Sequence, residues 1–394
     1  MRITGIETVH LGDTPFVLYV RVHTDEGIIG TGDTFMMAEG LAGYIHGRAA
    51  PKLLGRDPLE IQRIWTMLYD RDAARFGGQG IEVRAISAID VALWDILGQS
   101  VGKPIYQLLG GASRDRVPIY NTCGGPAYGR PPLEAHGRPG VLEDLWAWHN
   151  EPEALAHELL AEGITGMKIW PFDDVGLRNE GLSITAAELE EGLTPVRRIR
   201  EAVGSRMRIM IEGHGFWRLP AAVKIARALE EYDIEWLEDM LLAHDIGAIA
   251  SLHDQTTIPV LASEYLVTRH QYLPLLQRGA ADIVMLDPTW TGGITESHKI
   301  GALADTFGLP VTMHDCTGPF TLLAGVHLAL AAPNATYQET VRAYIRTWYR
   351  DVVPHSVVIQ DGAILPPTEP GIGTRLLDDV LRRPDATVQV SKLS

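Results

Sequence analysis

Met207-Arg-Ile-Met-Ile-Glu212, Ile234-Glu-Trp-Leu-Glu238 and Ile258-Pro-Val-Leu-Ala-Ser-Glu264 are three short apolar runs, each closed by a glutamate 26 residues from the next. That interval holds one strand, one helix and two loops. The runs therefore predict successive strands of a parallel β/α barrel whose acids emerge side by side on one rim. Three carboxylates on neighbouring strands repel one another unless a cation holds them, and an all-oxygen set suits a hard ion, Mg²⁺, one per subunit.

The period continues outward. Asp287 follows Ile283 to Leu286, His314 follows Pro310 to Met313, and Glu339 follows Ala335 to Gln338, at steps of 23, 27 and 25 residues. Eight strands are expected at 117–121, 164–170, 206–212, 234–238, 258–264, 282–287, 309–314 and 335–339. Two connections are long, Gly124 to Asn150 and Pro171 to Thr194, the second carrying a Thr185-Ala-Ala-Glu188 capping box, and both are expected over the rim, either as a cover for the substrate or as plain surface insertions.

The 394 residues exceed what such a barrel needs, so a second unit is expected. Ile3 to Leu11, Phe16 to His23 and Ile28 to Thr31 read as an antiparallel meander. Helices follow from Asp57-Pro58 and over Ala85 to Ser100, the latter with an Ile86, Ile89, Leu93, Ile96 stripe. The predicted class is α/β: a modified (β/α)8 TIM-type barrel, (β/α)7β-like, over 117–354. An α+β capping domain covers 1–116, with a strand pair in Val357 to Ile364 and a C-terminal segment, 355–394, returning to it.

A net charge of −16 opposes nucleic acid and anionic membranes as partners, while leaving an anionic small molecule open where a cation reverses the local field. The 2 cysteines, Cys123 and Cys316, make no disulfide framework and read as buried thiols. Neither a signal peptide nor a run of membrane length is evident, so the expected compartment is cytoplasmic.

Proton-transfer groups stand beside the acids. Lys168 ends the second strand, His214 lies two residues beyond Glu212 on the same strand face, and His314 lies across the ring. A neutral imidazole near a cation-bound carboxylic acid can remove its α-proton. The cation and a lysine would stabilise the charge that develops, and Asp287 is placed to set the tautomer of His314. Tyr120, Trp170, Trp217 and Trp290, with the segments Thr14 to Phe16 and Phe35 to Glu39, are substrate-contact candidates by position.

These residues also carry a family resemblance. Ala85-Ile-Ser-Ala-Ile-Asp-Val-Ala-Leu-Trp-Asp95, Leu108-Leu-Gly-Gly111, Glu235-Trp-Leu-Glu-Asp239, Ala262-Ser-Glu264, Leu286-Asp-Pro-Thr-Trp-Thr-Gly-Gly-Ile-Thr-Glu296 and His314-Asp315, in this order, make the chain resemble the enolase superfamily in its mandelate racemase and muconate-lactonising branch. The resemblance implies a magnesium ion on Glu212, Glu238 and Glu264, a base dyad of His314 with Asp287, and an enediolate intermediate. It also implies that Glu339 hydrogen-bonds the substrate carboxylate or enediolate, either protonated or through a bridging donor. Dimers or octamers are common in that superfamily, so a homo-oligomer is expected.

Racemases of the branch carry Lys-x-Lys on the second strand, where this chain has Lys168-Ile169-Trp170. Tryptophan takes no proton, which weakens a two-base racemisation. Glu212-x-His214 resembles instead the sugar-acid dehydratases, implying β-elimination to a 2-keto-3-deoxy acid with His214 protonating the leaving oxygen. Lys168-Ile-Trp-Pro-Phe-Asp173 further resembles cycloisomerases that open 3,6-anhydro-galactonate. There the leaving oxygen is a ring ether, and Lys168 is open to a direct acid or base role as well as an electrostatic one. Racemisation or epimerisation of a hydroxy acid and non-catalytic sugar-acid binding remain further alternatives. A zinc hydrolase would want His-x-His on the first strand, and a dinucleotide enzyme Gly-x-Gly-x-x-Gly; the sequence has neither.

Overall fold

Alternating apolar residues form the strands Ile3–Leu11 (β1), Val17–Thr24 (β2) and Ile29–Phe35 (β3) in the computed structural model, which describes residues 1–128 and 141–393. They make an antiparallel meander with β2 central. β3 runs four residues beyond the expected Thr31. Its Gly30 and Gly32 lie so close to the helix Ile81–Val101 that a Cβ would meet the carbonyl oxygens of Ala92 and Ala88 at 2.0 and 2.3 Å. The missing side chains let strand and helix touch, and the strand continues across the helix to carry Asp33 and Phe35 toward the barrel. The helix expected from Asp57 begins instead at Ile61, because Asp57 accepts the Leu59 amide (3.0 Å) in a local turn.

The barrel strands are Val117–Thr122 (β4), Gly166–Ile169 (β5), Arg208–Glu212 (β6), Ile234–Glu238 (β7), Val260–Ala262 (β8), Ile283–Leu286 (β9), Val311–Met313 (β10) and Ala335–Thr340 (β11). All are parallel, and β11 pairs with β4 to close the ring. β11 is followed directly by the short helices Arg342–Arg346 and Tyr349–Val352. The expected strand pair shrinks to Ile359–Gln360 (β12) and Ala363–Ile364 (β13), with β13 antiparallel to β4. The chain then runs back to the first sheet, where Ala386–Lys392 (β14), not expected from sequence, pairs antiparallel with β1. Its Ala386, Val388 and Val390 alternate with Thr387, Gln389 and Ser391, but Val388 and Val390 are exposed, so the strand is held by its pairing with β1 rather than by a buried apolar face.

Three buried aspartates fasten the sheet and its helix to the barrel and tail. Asp33 accepts the amides of Phe320 (3.0 Å) and Thr321 (2.8 Å) at the start of the helix Pro319–Ala331. Asp90 accepts the Thr295 amide (2.9 Å), and Asp95 those of Thr31 and Ile372, both at 2.9 Å. Gly293, at φ 86°, permits the Asp90 contact, since a Cβ there would lie 2.3 Å from Asp90 Oδ2. Among the described residues no helix is long and apolar enough to cross a membrane. Residues 129–140 of the first long connection lie outside the described residues.

Candidate active site

Each strand-end residue emerges where the barrel period puts it. Glu212 and Glu238 close β6 and β7 in direct register, and Glu264 lies two residues beyond β8. One oxygen from each of the three buried carboxylates lies within 4.8 Å of the others. Glu264 Oε2 is buried without a hydrogen-bond partner among the described residues. Burial raises the pKa of Glu238, with Glu212 and Glu339 adding like-charge repulsion against the pull of Lys168, and burial with Glu264 raises that of Asp239. A crowded, oxygen-only set with an unpartnered lone pair fits a hard divalent cation.

Lys168, from β5, is fully inside this cluster. Its Nζ lies 3.2 Å from Glu212 Oε2 and 2.9 Å from Glu339 Oε1, and it also contacts Glu238. Burial opposes its charge, but Glu238, Glu339, Tyr120 and Glu212 together raise its pKa well above that of an ordinary lysine. Glu339 also accepts from Thr122 Oγ1 and from the Asp315 amide at 3.0 Å. Burial favours its neutral form, yet Lys168 and His314 outweigh that and lower its pKa. The geometry thus favours a bridging ammonium donor over a protonated Glu339.

Two histidines face the cluster from opposite sides, beyond the third and seventh strands of the ring. His314 Nδ1 donates to Asp287 Oδ2 at 2.8 Å, leaving Nε2 3.8 Å from Glu339, 4.0 Å from Glu264 and 3.5 Å from Cys316 Sγ. Burial pulls its pKa down, but Cys316, Glu339 and Asp287 raise it well above the usual value. A divalent cation among the glutamates would cancel part of that field. His214 is paired in the same manner. Its Nδ1 donates to Asp173 Oδ2 at 2.5 Å and its Nε2 meets the Tyr128 hydroxyl at 3.3 Å. Its pKa is raised to about 9: burial lowers it, and the charges of Glu212 and Asp173 more than compensate.

Among the aromatic candidates, Trp170 packs 5.8 Å from the His214 ring and Trp290 4.9 Å from the His314 ring. Tyr120 is not brought to the rim. It lies in the barrel interior with Met210, Trp236, Leu261 and Met285, edge-on to Trp236, because its side chain alternates inward one layer below the strand ends. Trp217 is buried in the main core against the segment around Gly176 and Gly181, so it supports the second long connection rather than lining the rim. Of the capping-domain segments, Thr14, Phe16 and Phe35 line a crevice with Tyr128, Cys316 and Thr317. A separate cavity of about 510 Å³ opens beside His214, lined by Gln79, Leu242, His244, Tyr265 and His270.

Sequence reasoning missed Asp173, Tyr128 and Thr122 as parts of the site. Asp173 starts a helical turn, Asp173–Asn179, well past the end of β5, so strand-end spacing does not find it. The quoted segment ending at Asp173 was the available signal.

Comparison with known proteins follows the same outline. Residues 4–110 match the family described as mandelate racemase / muconate lactonizing enzyme, N-terminal domain, and residues 151–380 match enolase C-terminal domain-like. The chain is 31% identical over 388 residues to D-xylonate dehydratase of Haloferax volcanii, covering 95% of this chain and 87% of that one. It is 30% identical to D-galactonate dehydratase of Pectobacterium atrosepticum, covering 97% and 94%. Among solved structures, an enolase of the mandelate racemase subgroup from Agrobacterium tumefaciens superposes with a TM-score of 0.89 at 40% identity, covering 100% of this chain and 99% of that one.

Proposed function

Because this chain belongs to the enolase superfamily, in its mandelate racemase and muconate-lactonizing branch, we propose that it is a magnesium-dependent sugar-acid dehydratase, a carbon–oxygen lyase. The observation that carries this reading is the pair of opposed His–Asp dyads around one acid triad, with Trp170 where a racemase has its second lysine. Its relatives named D-xylonate and D-galactonate dehydratase support the substrate class.

Glu212, Glu238 and Glu264 would hold the ion. Bound there, Mg²⁺ would polarise the substrate carboxylate and acidify the α-hydrogen. His314, its Nδ1–H fixed on Asp287, presents the Nε2 lone pair and takes the α-proton. The C–H electrons move onto the carboxylate carbon and oxygens, giving an enediolate. Lys168 remains an ammonium and supplies N–H donors there, while Glu339 holds it in place. As the enediolate collapses, the C3–O bond breaks and His214 Nε2 delivers a proton to the departing hydroxyl, which leaves as water. Asp173, hydrogen-bonded to Nδ1 outside the acid triad, favours the charged imidazolium of His214, as an acid requires. The enol product tautomerises to a 2-keto-3-deoxy acid.

The same geometry serves a second reading, a 3,6-anhydro-galactonate-type cycloisomerase, in which His214 protonates a ring ether. Asp173, the orienting partner of His214, belongs to the segment that carries this resemblance. A stereochemically complete library of sugar acids and 3,6-anhydro acids, assayed with Mg²⁺ for 2-keto-3-deoxy products, tests both. Products lost on chelation and in His314→Asn support elimination, and products confined to anhydro acids favour the cycloisomerase. Solvent deuterium entering the α-position with no product from any acid would sink elimination and leave racemisation or epimerisation.

A further inference from the structure

Arg84 sits in the first turns of the helix Ile81–Val101, on the capping-domain side of the mouth. Its Cζ lies 3.8 Å from the centroid of the Trp290 ring, which itself stacks at 13° on Phe35 and packs against His314. Half-buried, it makes a single hydrogen bond among the described residues, from Nη1 to the Phe35 carbonyl oxygen at 3.2 Å. No carboxylate among the described residues pairs with it. Buried arginines elsewhere are matched, Arg21 by Glu7 and Arg342 by Asp144 and Glu162. Burial lowers the Arg84 pKa, and the carboxylates of Asp287 and Glu264 draw it back up, which places the guanidinium in the field of the site. It remains charged, and its remaining N–H donors form a planar fork one ring beyond the proposed base.

We infer that Arg84 is a substrate-recognition residue, receiving a second carboxylate at the end of the substrate remote from the acid triad, so that the preferred sugar acid is an aldarate, carboxylate at both ends. This rests on the sugar-acid reading above and narrows it. A planar carboxylate matches the fork in two hydrogen bonds, whereas a phosphate would bring greater charge toward Glu264 and Asp287. Trp290 lies between His314 and Arg84, 4.9 Å from the one ring and 3.8 Å from the other group's Cζ, so a substrate with its α-carbon at His314 Nε2 would span the indole to reach the guanidinium.

The test compares aldarates with aldonates of matching configuration on the full-length Mg²⁺-loaded protein. Calorimetric binding and turnover are measured separately for the wild type, Arg84→Met and Arg84→Lys. The expected result is an aldarate preferred over its matching aldonate by about 30-fold or more in kcat/KM. Arg84→Met removes most of that preference, chiefly through KM, and Arg84→Lys retains part of it. Wild-type protein that handles aldonates as well as aldarates overturns the proposal, as does Arg84→Met lowering both by the same factor. If no acid is eliminated at all, the dehydratase reading falls while binding still decides this one: aldarates bound about tenfold or more tighter, with that margin lost in Arg84→Met, uphold it, and equal binding overturns it. Should Arg84→Met not fold, the wild-type comparison and Arg84→Lys decide the matter in the same way.

Discussion

The rim and the seam between capping domain and barrel each bury several carboxylates, and they solve the problem in opposite ways. At the seam, Asp33, Asp90 and Asp95 stand apart, and each accepts backbone amides. At the rim, Glu212, Glu238 and Glu264 lie within 4.8 Å of one another, and Glu264 Oε2 has no donor among the described residues. Isolated acids satisfied by amides hold two units together. Crowded acids that share Lys168 and leave Glu264 Oε2 without a donor are costly to the fold, a cost that a cation and a substrate would repay.

Withholding a cation or removing one of its proposed ligands should separate rim from seam most clearly. Chelation, or Glu238→Gln, should lower kcat by at least about 1000-fold. The thermal midpoint of Glu238→Gln, measured in chelator, should stay level or rise, because one buried like charge is gone. A large fall in that midpoint would mean that the rim acids are structural, as the seam acids are. Next in size, His314→Asn should lower turnover about 1000-fold and abolish entry of solvent deuterium at the α-carbon. His214→Asn should cost about 100-fold in product formation while α-exchange persists. Loss of exchange in both variants would remove the division of labour between the two dyads.

The rim was largely legible in the sequence and the seam was not. Glu212, Glu238, Asp287, His314 and Glu339 end strands, and strand ends recur with the barrel period, so spacing alone aligned them. Asp90 and Asp95 lie inside a motif whose family was recognisable, yet their partners, the amides of Thr295, Thr31 and Ile372, are set by tertiary contact and have no period. Asp173 was hidden for the same reason, since it reaches His214 from a helical turn after the strand. Tyr120 shows the converse failure: strand alternation says that a side chain points inward, but not at which layer.

The seam makes the smaller predictions. Asp90→Ala should cost about 1–3 kcal/mol of stability, read by chemical denaturation, because it orphans the buried Thr295 amide. Saturating kcat should change less than about threefold, since no rim residue loses a partner; a rim-sized loss would erase the distinction between the two regions.

The last test is pH. Burial raises the pKa of each of Asp33, Asp90 and Asp95 to about 7, outweighing the amides that favour the charged form, against a usual aspartate value of 3.8. Between those values the unfolded chain has lost its protons while the folded chain keeps them. The folded state therefore binds more protons, and stability falls as pH rises from about 4 to about 7, then levels, at no more than about 1.4 kcal/mol per pH unit per carboxylate. Asp95→Asn cannot titrate. The stability of wild type relative to this variant should therefore decline across that window, measured by denaturation at pH 5, 6, 7 and 8. A difference that stays flat would mean that Asp95 is ionised throughout and that its amides outweigh burial, making the seam a set of buried anions like the rim.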